Sequence, residues 1–150
     1  MPMLQALAKQ MTSTPAIAQL LAPAGVMRPP AGNPGDTGVF ISLAGKQALR
    51  PYLVLHLVSA PPADGTLDGI TGLIDGEIQI DAYGDDPVSA RQLSKAVKAA
   101  FANYSGQLSD NTILQFTDVT MDVDEVYEQG GGGYLYRSLL RLQAFYTEVS

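Results

Sequence analysis

Residues 73–104 read LIDGEIQIDAYGDDPVSARQLSKAVKAAFANY, and this stretch decides the fold. Its first part alternates, as a strand with one covered face does: Ile74, Ile78, Ile80 and Ala82 point inward, and Glu77, Gln79, Asp81 and Tyr83 point outward. Gly76 interrupts the series, so a bulge is expected there. The period then changes. Asp86 is placed to cap a helix with Pro87 at its first position. Leu93, Val97, Ala100, Phe101 and Tyr104 form one apolar stripe, with Arg91, Lys95 and Lys98 away from it and Gly106 as the stop. A half-covered strand running into an amphipathic helix points to a sheet with helix packed on one side.

Working outward, Pro51–Ser59 reads as a strand with two apolar faces, Tyr52, Val54, His56 and Val58 on one and Leu53, Leu55 and Leu57 on the other. Both faces are therefore expected to be covered. Residues 60–72, with two prolines and three glycines, read as a long hairpin connection to the next strand. Upstream, Met3, Leu4, Leu7, Ala8 and Met11 have the spacing of a short helix over 3–11, and Thr14-Pro15 restarts it through Ile17, Ala18, Leu20 and Leu21 until Pro23 and Gly25. Residues 28–36 read as an extended surface loop, and Val39–Ile41 as a short strand. Downstream, 112–127 alternates through Leu114 and Phe116, then slips phase to Val119, Met121 and Val123, which predicts a bulge. Gly130–Gly133 reads as a hairpin tip. Residues 134–148 fit a strand on even positions and a helix on Leu135, Leu139, Leu142 and Tyr146; the preceding glycines and the tyrosines favour the strand. The expected class is α+β, an antiparallel sheet with an N-terminal helical segment and one central helix packed on it and long hairpin loops, in a single domain over 1–150.

Composition bounds the function. Charged residues make up 16% of the chain, below a typical ~25%, so part of the surface reads as meant for covering. The net charge of −6, with nine Lys and Arg scattered along the chain, gives no patch for neutralising phosphates. Without cysteine there is no disulfide, thiolate nucleophile or Cys-based zinc site. No apolar run reaches membrane-span length and no signal-peptide pattern opens the chain, so the expectation is a cytosolic protein with no membrane partner.

Catalytic chemistry finds little to stand on. His56 is the lone histidine, flanked by Leu55 and Leu57, and reads as a packed or interface residue rather than half of a dyad. Asp118, Asp122, Asp124, Glu125 and Glu128 form the one dense carboxylate cluster. Asp122 and Asp124 would share a strand face, but the run lacks calcium-loop spacing, and a solvated face opposite Val119, Met121 and Val123 is the simpler reading. Gly130–Gly133 lacks the strand–glycine–helix order and the lysine of a phosphate loop. The chain is expected not to be an enzyme and to need no cofactor or metal.

The order of parts resembles a known family. It runs from Thr14-Pro15-Ala16-Ile17 through Pro51-Tyr52-Leu53-Val54-Leu55 and Glu77-Ile78-Gln79-Ile80-Asp81-Ala82-Tyr83 to Ala90-Arg91-Gln92-Leu93 and Ala96–Ala100. It closes on Tyr134-Leu135-Tyr136-Arg137-Ser138 and Phe145-Tyr146. Over about residues 4–148 this is similar to the tail-completion, or tail-terminator, proteins of long-tailed bacteriophages and prophages. The resemblance implies a structural subunit that forms a ring, usually hexameric, at the head-proximal end of the virion tail after assembly in the host cytoplasm. Its implied partners are copies of itself, the tail tube protein and the head-completion or connector protein, with DNA passing through the lumen without specific binding. Asp64, Asp68, Gln79, Asp81 and Tyr83 are the expected contact or lumen positions. The rival readings are another neck or tail ring component, a small-molecule or peptide binder using the face around Tyr52, His56 and Tyr83, and a metal-dependent hydrolase using Asp122 and Asp124.

Overall fold

The computed structural model describes residues 2–21, 39–41, 51–61, 73–108, 112–128 and 134–148. The expectations for 28–36, for the connection beyond Pro61, for the 130–133 tip and for the stop at Pro23 and Gly25 lie outside these residues. The described chain forms α1 (Pro2–Thr12), α2 (Pro15–Ala18), β1 (Val39–Ile41), β2 (Tyr52–Ser59), β3 (Ile74–Gly84), α3 (Pro87–Phe101), β4 (Gly106–Gln107), β5 (Thr112–Glu128) and β6 (Tyr134–Glu148). The strands make one sheet in the order β1-β2-β3-β6-β5-β4. Every pairing is antiparallel except at one edge, where β1 runs parallel to β2, a departure from the fully antiparallel expectation.

Helix α3 starts as its sequence dictates. Asp86 Oδ1 accepts the Ser89 N–H at 2.7 Å, and Pro87 takes the first helical position. Gly84 lets the strand enter this turn, since a Cβ there would collide with Ser89 Oγ and sit 2.8 Å from the Ala90 nitrogen. The far end differs from expectation. The helix stops at Phe101, Asn103 takes the left-handed conformation (φ 57°), and Tyr104 lies beyond the helix against the Phe101 ring. Gly106 is therefore not the stop; it opens β4. What ends the helix is Thr117, 16 residues further on. Its buried hydroxyl accepts the Tyr104 N–H at 2.8 Å and donates to the Phe101 carbonyl, one of the helix's orphan acceptors.

In β5 the register against β6 shifts twice, between Leu114 and Phe116 and between Val119 and Met121. The two shifts bracket Thr117 and turn it into the core. The irregularity expected at Gly76 is not there. Gly76 keeps phase with Ile74 and Ile78 and pairs with Ala144, whereas the β2–β3 shift falls between Leu57 and Ser59. Gly76 is explained by close approach instead: a Cβ would lie 2.7 Å from Tyr146 Cε1.

All three helices share one buried cluster with one face of the sheet. Met3, Leu4, Leu7, Met11 and Ile17 meet Leu53, Leu55, Ile78, Ile80, Leu140 and Leu142, with Leu93, Val97 and Phe101 from α3 closing the layer. Each such side chain contributes about 1.5–3 kcal/mol of burial. The even positions of β6 enter this core, so 134–148 is a strand and the helical alternative fails. Thr14 occupies its predicted cap position before α2, yet its hydroxyl donates back to the Gln10 carbonyl of α1 at 2.7 Å. The opposite sheet face has no helix on it among the described residues. Of the two β2 faces, Leu53 and Leu55 are packed under helices, while on the other Val54 is buried at 4% exposure and Val58 is 45% exposed.

Candidate functional site

The helix-free face is where the outward-pointing residues of β3 arrive. Antiparallel pairing lines side chains into rungs across four strands: Tyr52–Tyr83–Arg137–Glu125, Val54–Asp81–Leu139–Val123, and His56–Gln79–Arg141–Met121. On this lattice Asp81 is the hub. It points to the outer face as read, but it is 1% exposed, because its neighbours close over it. His56 Nε2 and Arg137 Nη1 lie 3.3 and 3.6 Å from Asp81 Oδ2, and Gln79 Nε2 donates to Oδ1 at 3.0 Å. Arg137 also holds Glu125 Oε2 at 2.9 Å. Arg141 reaches Glu77 at 3.3 Å and the Gln79 carbonyl oxygen at 3.4 Å, and Gln143 donates to Asp75 at 3.1 Å.

Tyr83 completes the lattice. Its ring stacks on Tyr52 with centroids 5.1 Å apart, and it shares a hydrogen bond with Arg137. Burial raises the Tyr83 phenol above its ordinary value, and Asp81 adds to this against the opposing pull of Arg137. Burial works against the charge of Arg137, but Tyr83, Asp81 and Glu125 outweigh it and raise its pKa, so the guanidinium is a fixed cation. Above these residues lies an open depression of about 640 Å³ lined by Tyr52, His56, Gln79, Tyr83, Arg137 and Arg141.

The lattice brings Gln79, Asp81 and Tyr83 together as expected; Asp64 and Asp68 lie outside the described residues. It also recruits Arg137 and Arg141, which were not among the expected contact positions, and His56, which was read as a packed or interface residue. Arg137 and Arg141 share the odd-numbered face of β6 with Leu135 and Leu139, so their alternation in β6 was the available signal. His56 is paired with a buried carboxylate, and among the described residues no serine, threonine or cysteine lines the depression. Chemically this is a set of pre-satisfied charges and stacked rings, a surface suited to contact.

The carboxylates of β5 are corrected in place and in role. Asp122 and Asp124 share a face, but it is the helix face. Arg91 holds Asp122 at 2.7 Å and Asp124 at 3.1 Å, and Lys98 reaches Asp122 at 3.3 Å. Burial works against the Asp122 charge, but the hydrogen bonds from Arg91 and Lys98 outweigh it and hold its pKa below the ordinary value. Val119 shares this face, since the shift before Met121 reverses the phase; only Met121 and Val123 are opposite. No group of metal-ligating side chains forms among the described residues.

The sequence matches the family described as Tail completion protein gp17 over residues 5–147. The chain belongs to this family. It is therefore a structural component of a virion tail and not an enzyme. A solved chain from the virion of a native gene transfer agent particle superposes with a TM-score of 0.59 at 15% identity, covering 95% of this chain and 93% of that one, so the two share a fold. A second solved chain aligns at a TM-score of 0.44 and 17% identity, over 93% of this chain and 94% of its own. Comparison with curated proteins returns no match.

Proposed function

We propose that the chain assembles into a hexameric ring that caps the head-proximal end of the tail tube, ends tube polymerisation and offers the surface on which the head docks. The family match over residues 5–147 carries this reading. The geometry supports it: a sheet face whose ion pairs are complete within the monomer carries no helix among the described residues, so what it offers a neighbour is a preset surface. Ordering side chains before contact lowers the entropy cost of association. The partners are further copies, the tube protein and the head-completion or connector protein. Each copy brings a charge of −6, so DNA crossing the lumen meets like charge. In this reading the chain acts as one domain, is assembled in the host cytoplasm, and uses Asp64, Asp68, Gln79, Asp81 and Tyr83 at contacts or the lumen, with Asp81 holding Gln79 from beneath.

The test is light scattering after gel filtration across protein concentration, with negative-stain images, alone and with tube protein added. Discrete rings that sit on tube ends are expected. Long stacks would assign the chain to the tube, and a monomer indifferent to tube ends would overturn the reading. Deleting residues 62–70 should leave a folded protein that fails to cap; phage carrying the deletion and making tails of normal length would remove that loop from the contact.

A further inference from the structure

Strand β4 pairs with β5 only at Ile113 and Leu114, and from Asp118 to Val126 β5 is paired with β6 alone among the described residues. Both faces of this stretch stay open to solvent in the folded chain. Asp118, Thr120 and Asp124 are exposed, and Met121, Val123 and Val126 are exposed by 41%, 42% and 58%. Proteins ordinarily guard such an edge with unpaired charge. Here Asp122 and Asp124 are bound by Arg91, and Glu125 by Arg137.

The two sides of the edge differ in chemistry. On the helix-free side, Val123 ends the rung that runs through Asp81 and Leu139, and Met121 ends the rung through Gln79 and Arg141. A further strand would extend these rungs, and apolar side chains on it would pack beside Val123 and Met121. On the helix side, Arg91, Lys95 and Lys98 follow one flank of α3 at the spacing of residues that share a helix face. These three cations meet two carboxylates, Asp122 and Asp124, which Arg91 and Lys98 take. Lys95 is exposed and has no carboxylate among the described residues.

We propose that the Asp118–Val126 edge takes up, by strand addition, an extended segment of a partner protein that alternates apolar and acidic side chains. Main-chain hydrogen bonds hold the segment, and its side chains decide the choice of partner. The apolar ones lie beside Met121 and Val123, and an acidic one lies on the helix side, where the chain has a cation in excess. The same balance disfavours a second copy as the occupant. Its β5 would bring Asp122 and Asp124 already held by their own Arg91, together with another Lys95, so surplus cation would meet surplus cation.

Two labelled peptides serve as probes, one alternating valine with glutamate and one alternating valine with lysine, titrated against the full-length protein by fluorescence anisotropy. The glutamate peptide should bind about tenfold more tightly, with the margin shrinking as salt rises. Lys95→Glu, at an exposed position, should reverse the preference and leave the thermal melting curve unchanged. Val123→Lys should weaken both peptides. Equal affinities, binding of neither peptide, a preference that survives Lys95→Glu, or binding indifferent to Val123→Lys would overturn the proposal. A wild-type dimer in light scattering that Val123→Lys dissolves would overturn it too, since a second copy would then hold the edge. None of these readouts involves ring formation or tube ends, so failure here leaves the function proposed above standing.

Discussion

Replacing Asp81 with asparagine keeps the side chain's shape and removes its charge. The carboxylate is 2% exposed and receives Gln79 at 3.0 Å on one oxygen and 3.3 Å on the other, where His56 and Arg137 also sit. An amide keeps a single acceptor: with that oxygen toward His56 and Arg137 its NH2 group faces Gln79 Nε2, so one donor meets a donor in either orientation and Arg137 loses a full negative charge beside it. Removing one partner of a buried pair costs about 3–5 kcal/mol. Arg137 retains Glu125 at 2.9 Å and is itself 17% exposed, which reduces the expected loss to roughly 2–4 kcal/mol. For a chain of this size that corresponds to a melting temperature about 5–15 °C lower. His56→Ala removes a half-exposed partner and should cost under about 1 kcal/mol. Urea titration by circular dichroism measures both. If Asp81→Asn lies within about 0.5 kcal/mol of wild type, or if His56→Ala costs as much as it does, Asp81 is not the hub of the lattice and the argument from burial fails.

Three further outcomes are expected. Thr117→Val should destabilise by about 2–4 kcal/mol, because the buried Phe101 carbonyl and Tyr104 N–H both lose their partner, while Thr117→Ser keeps both bonds and should cost near 1 kcal/mol; equal losses in chemical denaturation would refute the helix-stop role. Asp122 has a folded pKa below its unfolded one, so its contribution is present above the unfolded value and is lost as pH falls through the folded one; Asp122→Asn should be less stable than wild type by about 1 kcal/mol near neutrality, with the gap closing in acid, and a gap constant with pH would exclude the ion pair as its cause. Tyr83, raised by burial, favours the fold below the unfolded phenol's pKa and ceases to do so as pH rises through the folded one; in a phenolate absorbance titration the step removed by Tyr83→Phe should come after the ordinary tyrosine range, and removal of an early step would contradict the placement.

Legibility followed the range of the causes. The Asp86-Pro87 helix start and the strand over 77–83 rest on neighbours within a few residues, and both stand. The helix end did not yield to the same reasoning, because Thr117 reaches it from a different strand. Nor did the pairing of Arg91 with Asp122, 31 residues apart, which sets the acidic face beside α3 while leaving Asp118 and Asp124 exposed. The second shift in β5 did this: a side-chain period of two reverses every later residue when one is inserted, and the inserted position is invisible to a pattern that merely changes phase. Of the expected contact residues, alternation put Gln79, Asp81 and Tyr83 on one outward face, where the structure has them, but it has no access to depth, so the burial of Asp81 under β2 and β6 side chains was hidden.

The same long-range pairings bear on the proposed passage of DNA. Affinity for a polyanion comes from cations free to exchange their counterions for phosphates. Here Arg91, Lys98, Arg137 and Arg141, four of the nine basic residues, are held by carboxylates of their own chain at 2.7–3.6 Å. A phosphate would have to displace an oriented carboxylate to reach any of them. For Arg137 it would also have to strand Asp81, whose neighbour on the same oxygen is a half-exposed histidine. An acidic net charge alone repels DNA at long range but leaves local basic patches able to stick, and salt screens the repulsion over about 10 Å. Internal pairing occupies these four cations at contact distance, where screening does not help. On the proposed ring reading, the same lattice that would preset the sheet face for a neighbour would also keep Arg137 and Arg141 from holding a passing strand.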